Sequence, residues 1–185
     1  MSAKPSMKRY LPGDPLPAEQ LKRMVRVDHA GEHGAARIYD GQLAILGKRT
    51  VGDTIRHMAA QEREHRAQFD KLLVERRVRP TLLGPFWDVA GYALGAATAL
   101  MGEKAAMACT VAVEEVIDEH YQDQIEALGE TEPELKAVLE QFQAEEREHR
   151  DTGLAHGAEA TPGYEALSAA IKAGSRLAIW LATRI

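Results

Sequence analysis

The sequence contains one cysteine in 185 residues, and this scarcity excludes several classes of protein. Cys109 has no partner for an intrachain disulfide, and no Cys-x-x-Cys exists to hold zinc or a rubredoxin-type iron. A reducing compartment fits, and Cys109 reads as buried filler in an apolar helical run. Charge of a single sign is also lacking. The net charge is −5 with both signs interspersed, so nothing suggests a nucleic-acid-binding surface. No apolar run reaches the roughly 20 residues needed to cross a membrane. The greasiest stretch, Thr81 to Gly102, is uninterrupted by charge only from Val89 onward. Met1 to Pro17 carries four prolines and no apolar core. It reads as neither a signal peptide nor a transit peptide, so residues 1–16 are expected to form a short flexible arm. Residues 17–185 then make one domain with enough apolar content to bury a core.

What the chain does have is a repeated pentapeptide. Glu62-Arg63-Glu64-His65-Arg66 returns as Glu146-Arg147-Glu148-His149-Arg150. Each copy holds a Glu-x-x-His pair, and residues three apart share one face of a helix. A lone pair of this kind is a weak signal, but here the register supports it. Ile55, Met58, Glu62, His65, Phe69 and Leu72 follow core spacing, as do Leu135, Leu139, Phe142, Glu146, His149 and Gly153. Carboxylates on a core stripe are costly unless neutralised, paired or bound to metal. The bland alternative is two solvated Arg/Glu-rich faces, each with an accidental histidine.

Helical signals fill the rest of the chain. A first helix is expected from Pro17 to Gly47, with Leu21, Val25, Asp28, Glu32, Ala35, Tyr39, Gln42 and Leu46 on its core stripe. Gly31 and Gly34 flank Glu32. Each glycine costs a helix up to about 1 kcal/mol, and close approach of a partner helix or ligand would explain them. A second helix runs from Val51 to Val78. The small-residue stretch that follows, up to Gly102, is either a buried helix or one that touches lipid or a greasy ligand. A further helix covers Glu103 to Leu128. Thr131, Pro133 and Glu134 resemble a capping box that starts the next, which runs to His156. The last, Tyr164 to Thr183, has an apolar stripe, the basic residues Lys172, Arg176 and Arg184, and Trp180. It reads as a bundle-closing helix and as an interfacial membrane anchor.

The chain also repeats on a larger scale. At an offset of 82, Glu32 pairs with Glu114, Tyr39 with Tyr121, Gln42 with Gln124, and Gly47 with Gly129. The pentapeptides match at an offset of 84. Each half is a helix with one core Glu, a short loop, and a helix with a core Glu-x-x-His. Two such hairpins make a four-helix bundle whose core holds Glu32, Glu62, His65, Glu114, Glu146 and His149. That is the ligand set of carboxylate-bridged di-iron proteins. Four carboxylates balance two Fe²⁺ ions. Glu114 is preferred over Glu115 because it keeps the repeat correspondences. Asp28 and Asp118, one turn away, either orient the ligating histidines or serve surface and intrahelical roles. Tyr39 and Tyr121 stand as ordinary core tyrosines or as electron-transfer groups of a catalytic site. His29, His33, His57, His120 and His156 lack repeat partners and are read as non-ligands.

At this point the residues carry a family resemblance. Val27 to Glu32 (VDHAGE), Arg37 to Tyr39 (RIY), Phe86 to Gly91 (FWDVAG), Ala108 to Glu115 (ACTVAVEE), His120-Tyr121 and Ala173 to Arg176 (AGSR) resemble the demethoxyubiquinone hydroxylases of ubiquinone biosynthesis. The likeness runs from about Pro17 to the end. It implies an all-α, ferritin-like four-helix bundle with additional helices, and a monooxygenase that holds two iron ions. By motif the family's iron ligands fall on Glu32, Glu62, His65, Glu114, Glu146 and His149, the six positions already reached. The implied substrate is a polyprenylated benzoquinone or quinol, together with O₂, with NADH as electron donor. The implied location is the membrane surface, as a peripheral protein on the cytoplasmic face of a bacterial cell membrane; a targeting peptide like that of mitochondrial members is not expected. A homo-oligomer or a complex with other ubiquinone-biosynthesis proteins is a further expectation. The apolar Val89 to Met101 segment and the C-terminal helix are expected to form the substrate's access groove.

Three rivals stand beside this reading. A ferroxidase or iron-storage protein keeps the site, but its shell would need polar surfaces that Leu82 to Met101 does not offer. A di-manganese catalase shares the ligand set. A metal-free helical interaction protein requires the six polar core positions to be unpaired or exposed.

Overall fold

Four long amphipathic stretches become four long helices. The computed structural model describes residues 17–185; the arm expected over residues 1–16 lies outside the described residues. In chain order the helices are α1 (Pro17–Leu46), α2 (Gly52–Glu75), α3 (Gly84–Leu100), α4 (Glu103–Leu128), α5 (Pro133–Ala155) and α6 (Tyr164–Ala182), with one 3₁₀ turn at Ala158–Ala160. No strand occurs among the described residues. The architecture is the expected all-α bundle: the hairpins α1–α2 and α4–α5 form its four long helices, and α3 and α6 are the additional ones.

The bundle core consists of two apolar layers. At one end Val25, Phe69, Leu72, Tyr121, Leu128, Leu135, Leu139 and Phe142 pack together from all four long helices. At the other end Tyr39, Leu46, Ile55, Met58, Met107 and Val111 form a second cluster. Reading along any of the four helices passes from one cluster to the other through a short polar segment. Glu32, Glu62 with His65, Glu114, and Glu146 with His149 are those segments. The polar residues therefore form a belt between two dry layers, cut off from water at both ends.

The helix ends differ from expectation in two places. The second helix stops at Glu75 rather than Val78, because Arg77 takes a left-handed backbone (φ 50°) and the Val78 amide turns back to the Leu73 carbonyl at 2.8 Å. Thr131 is not the cap of α5. Its hydroxyl donates to the Leu128 carbonyl at 2.7 Å, so it closes the end of α4; α5 begins at Pro133 behind Glu132 without a side-chain cap. Gly102, where the small-residue stretch ends, has a φ of 118° that suits glycine and separates α3 from α4.

Gly31 and Gly34 border an apolar cavity, so side chains there would meet nothing within 4 Å, and Gly91 of α3 lies against the Gly34 carbonyl. Still closer approaches occur at Gly41 and Gly95, where a Cβ would run into the backbone carbonyls of Tyr92 and Ile38. These two residues let α3 lie directly on α1. Yet α3 is not a buried helix. Phe86 and Val89 are exposed, as are Leu82, Leu100 and Met101 at and beyond its ends.

Between α1, α3 and α6 lies an apolar cavity of about 610 Å³. Its outer wall includes Phe86, Trp87 and Leu94 of α3, with Ile171, Ala178 and Leu181 of α6. Its inner wall is Gly31 and Ala35 of α1 with Val113 and Ile117 of α4. On α3 the cavity is lined by residues from Phe86 to Leu94, the earlier half of the helix, rather than along the whole of Val89 to Met101.

Candidate metal centre

Each of the four long helices aims its polar segment at the same volume. Glu32, Glu62, His65, Glu114, Glu146 and His149 are all at most 2% exposed. Their ligand atoms form two overlapping sets. Glu32, Glu62, His65 and Glu146 bring one donor atom each within 4.8 Å of one another, and so do Glu62, Glu114, Glu146 and His149. Glu62 and Glu146 belong to both sets. Two cations could therefore share these two carboxylates, while Glu32 and His65 serve one ion and Glu114 and His149 the other. Glu115, the alternative to Glu114, faces away and pairs with Lys172 of α6.

The donors are arranged as a cation would need them. His65 turns Nδ1 inward, 3.3 Å from Glu32 and 3.1 Å from Glu146. His149 does the same, 3.1 Å from Glu62 and 3.0 Å from Glu146. Among the described residues, both oxygens of Glu62 lack a hydrogen bond, as does one oxygen each of Glu32 and Glu114. Buried carboxylate oxygens without partners are expensive. A bound cation would satisfy all of them, so the residues fit the pair of iron ions that the donor set implies. Three carboxylates and one imidazole per ion suit a divalent transition metal.

The electrostatics describe the same strain. Burial, with the negative charges of Glu146 and Glu32, pushes the Glu62 carboxyl well above its ordinary range. Burial and the charges of Glu146 and Glu62 do the same to Glu114. Glu32 is raised by burial as well. Glu146 differs: burial acts against its charge, but hydrogen bonds from His149 and His65 win and hold it down at about 2. Burial opposes a charge on His65, yet Glu146 and Glu32 carry it up to about 12.

Two tyrosines brace the carboxylates crosswise. Tyr39 of α1 donates to Glu114 Oε1 of α4 at 2.9 Å, and Tyr121 of α4 donates to Glu32 Oε1 of α1. Both rings are buried. The two aspartates do not meet His65 or His149. Asp28 accepts from Gln124 at 2.6 Å and lies 3.2 Å from His120; Asp118 accepts from Gln143 and Arg147. His29 and His33 pair with Asp70 and Asp88. The groups that do meet the outer nitrogens of His65 and His149 are Glu145 and Gln61. The sequence reading missed both, although they occupy equivalent places one residue before each Glu-x-x-His.

With this geometry established, comparison with known proteins is direct. The family model described as Ubiquinone biosynthesis protein COQ7 matches residues 19–182. The chain is 61% identical over 176 residues to the 3-demethoxyubiquinol 3-hydroxylase of Rhodospirillum rubrum, covering 95% of this chain and 83% of that protein. It is 51% identical to the NADPH-dependent 3-demethoxyubiquinone 3-hydroxylase, mitochondrial, of Homo sapiens over 176 residues, covering 93% and 81% of the two chains. The 5-demethoxyubiquinone hydroxylase, mitochondrial, of Saccharomyces cerevisiae is similar at 40% identity over 182 residues, covering 89% of this chain and 78% of that protein. On the family match and these identities, the chain belongs to the ubiquinone biosynthesis protein COQ7 family.

Proposed function

We propose that this protein hydroxylates the ring of a demethoxyubiquinone, as a di-iron monooxygenase of ubiquinone biosynthesis. The observation that carries the reading is a juxtaposition. An apolar cavity of about 610 Å³ has an inner wall, Gly31, Ala35 and Val113, drawn from the same turns of α1 and α4 that present Glu32 and Glu114 to the belt. The names of the relatives from Rhodospirillum rubrum and Homo sapiens support the same chemistry.

Each residue then has a task. Glu62 and Glu146, common to both donor sets, would hold both iron ions, with Glu32 and His65 serving one and Glu114 and His149 the other. When bound, the iron pair would supply the activation of O₂; one oxygen atom enters the ring in place of hydrogen, and the other leaves as water with two electrons from the reductant and two protons. The dry layers above and below the belt exclude water, which protects reactive species from side reactions. Tyr39 and Tyr121 hold the carboxylates of Glu114 and Glu32 in place; an added electron-transfer role is tested by their Phe variants. The ring lies against the inner wall, and the prenyl tail follows the cavity between α3 and α6.

The cavity's outer helices suit a membrane surface. Phe86 and Val89 of α3 and Leu177 and Trp180 of α6 are exposed, and Arg184 stacks over the Trp180 ring at 4.1 Å. Among the described residues no helix is long and apolar enough to cross a membrane. Attachment as a peripheral protein, on the cytoplasmic face of the cell membrane, would let a lipid-soluble tail enter without leaving the bilayer. Reduced nicotinamide is the proposed electron source. NADH is the donor inferred from sequence, and the human relative's name specifies NADPH. Partners of this surface include further copies of the chain or other proteins of the pathway. A ferroxidase or iron-storage role leaves the apolar cavity without a task.

The test is direct. Protein loaded anaerobically with Fe²⁺ receives a short-tailed demethoxyubiquinone, isotope-labelled O₂, and NADH or NADPH in parallel. Mass spectrometry should find one labelled oxygen on the ring, lost in Glu62→Ala and Glu146→Ala. Ala35→Phe, which fills the inner wall, should bind iron normally and raise KM for the quinone. Iron oxidation and O₂ consumption over an unchanged quinone, with reductant confirmed to reach the iron, would refute the proposal.

A further inference from the structure

The two halves of the belt match in place but not in chemistry. His65 and His149 both turn Nδ1 inward, and each offers Nε2 to a residue of the opposite hairpin. His65 Nε2 donates to Glu145 Oε2 at 2.5 Å. His149 Nε2 donates to Gln61 Oε1 at 3.1 Å. Glu145 and Gln61 are repeat equivalents, separated by the same offset of 84 as the pentapeptides. One acceptor is a carboxylate and the other a carboxamide.

This difference has consequences for a metal ion. An ionised carboxylate only accepts. It holds the proton of His65 on Nε2, leaves the Nδ1 lone pair facing the ligand set, and makes the imidazole a better donor. Glu145 is itself fixed, because Gln141 donates to its other oxygen at 3.0 Å. A carboxamide is neutral and makes the longer, weaker bond. Its other end is a donor, which would face His149 after a simple flip and favour the wrong tautomer.

We propose that Glu145 and Gln61 are positioning residues that make the two metal positions unequal. The position built from Glu32, Glu62, His65 and Glu146 takes the first divalent cation, and the position around Glu114 and His149 takes the second. The inference rests on the two-metal reading of the belt, and its test separates the two.

The probe is Co²⁺, added to the full-length, metal-free protein and followed by calorimetry and by its visible absorption. Paramagnetic proton spectra report the exchangeable Nε2–H of each ligating histidine. Wild type should bind two ions in two classes, about 10- to 100-fold apart, the range that loss of such an outer hydrogen bond produces. Glu145→Gln should weaken the tight class until the two merge, and Gln61→Glu should tighten the weaker class. The double swap, Gln61→Glu with Glu145→Gln, keeps the overall charge. It should restore two classes with the order reversed, so the His149 resonance appears first. Two ions of equal affinity in wild type would overturn this inference while leaving the two-metal site intact. So would two classes that Gln61→Glu and the double swap leave unchanged. Failure to bind a pair of ions at all would overturn the two-metal reading as well.

Discussion

Glu62 offers the sharpest test, because its two tasks have opposite signs. It is fully buried, and neither oxygen has a hydrogen bond among the described residues. Substitution Glu62→Met keeps an unbranched chain of similar volume and removes both oxygens. A volume-conserving apolar exchange costs less than about 1.5 kcal/mol. Relief of an unsatisfied buried polar group returns about 1–3 kcal/mol each, and two oxygens are relieved. His149 loses one carboxylate neighbour at 3.1 Å but keeps Glu146 at 3.0 Å. The metal-free variant should therefore be more stable than metal-free wild type by about 2 kcal/mol, or roughly 4–8 °C in Tm for a chain of this length. Metal reverses the order. Each occupied position adds about 2.7 kcal/mol at a hundredfold excess over Kd, and the variant has lost a carboxylate common to both positions. Differential scanning calorimetry with chelator, and then with Mn²⁺ or anaerobic Fe²⁺, would record both orders. A metal-free Glu62→Met protein that melts at or below wild type would refute the idea that the belt is kept for metal at the expense of the fold.

Three other outcomes follow from the same geometry. Glu32, Glu62 and Glu114 are raised above their ordinary value of 4.5, and His65 and His149 above 6.5. Their contribution is full below those values and is lost as pH rises, for His65 through to about 12; Glu146, held at about 2, contributes above 4.5 and fades as pH falls. Metal-free protein should thus lose stability between mildly acidic and alkaline pH in denaturant titrations, while metal affinity rises and binding releases protons, read as a buffer-dependent enthalpy in calorimetry. Tyr39→Phe and Tyr121→Phe each delete a donor to a terminal carboxylate. Each should cost about 1–3 kcal/mol yet retain both ions by metal analysis; a variant that keeps its iron and stability but loses all turnover would instead assign that tyrosine an electron-transfer role. Gly95→Ala should lower Tm by pushing the Ile38 carbonyl and lifting α3 from α1, at a cost of about 1–3 kcal/mol. Gly31→Ala, with open space around it, should be neutral or stabilising by up to about 1 kcal/mol.

The belt was legible because it obeys a local rule. Core spacing of 3 and 4 puts Glu62, His65, Glu146 and His149 on the same stripes as Phe69 and Leu139, and burial of those stripes is what drives the helices together. The repeat then chose Glu114 over Glu115, a choice a single helix could not make: both are acidic neighbours, and only Glu114 ended in the belt while Glu115 reached Lys172. What escaped the reading depends on how the hairpins cross. Asp28 is buried one turn from Glu32 but meets His120 and Gln124, while the outer partners of the ligating histidines come from the opposite hairpin. No spacing along one helix predicts that Glu145 lies against His65. The glycines were legible in part for a related reason. Gly31 and Gly34 do border the cavity, but the tightest backbone contact on α1, at Gly41 against Tyr92, lies two turns or more further on and depends on how α3 crosses α1. The same crossing explains why the fold tolerates so costly a belt. The apolar layers on either side, from Val25 to Phe142 at one end and from Tyr39 to Val111 at the other, fix the four helices independently of the polar segment. The six belt side chains are then held in place without a metal, so a cation bound as proposed would meet donors that are preorganised rather than created by its binding.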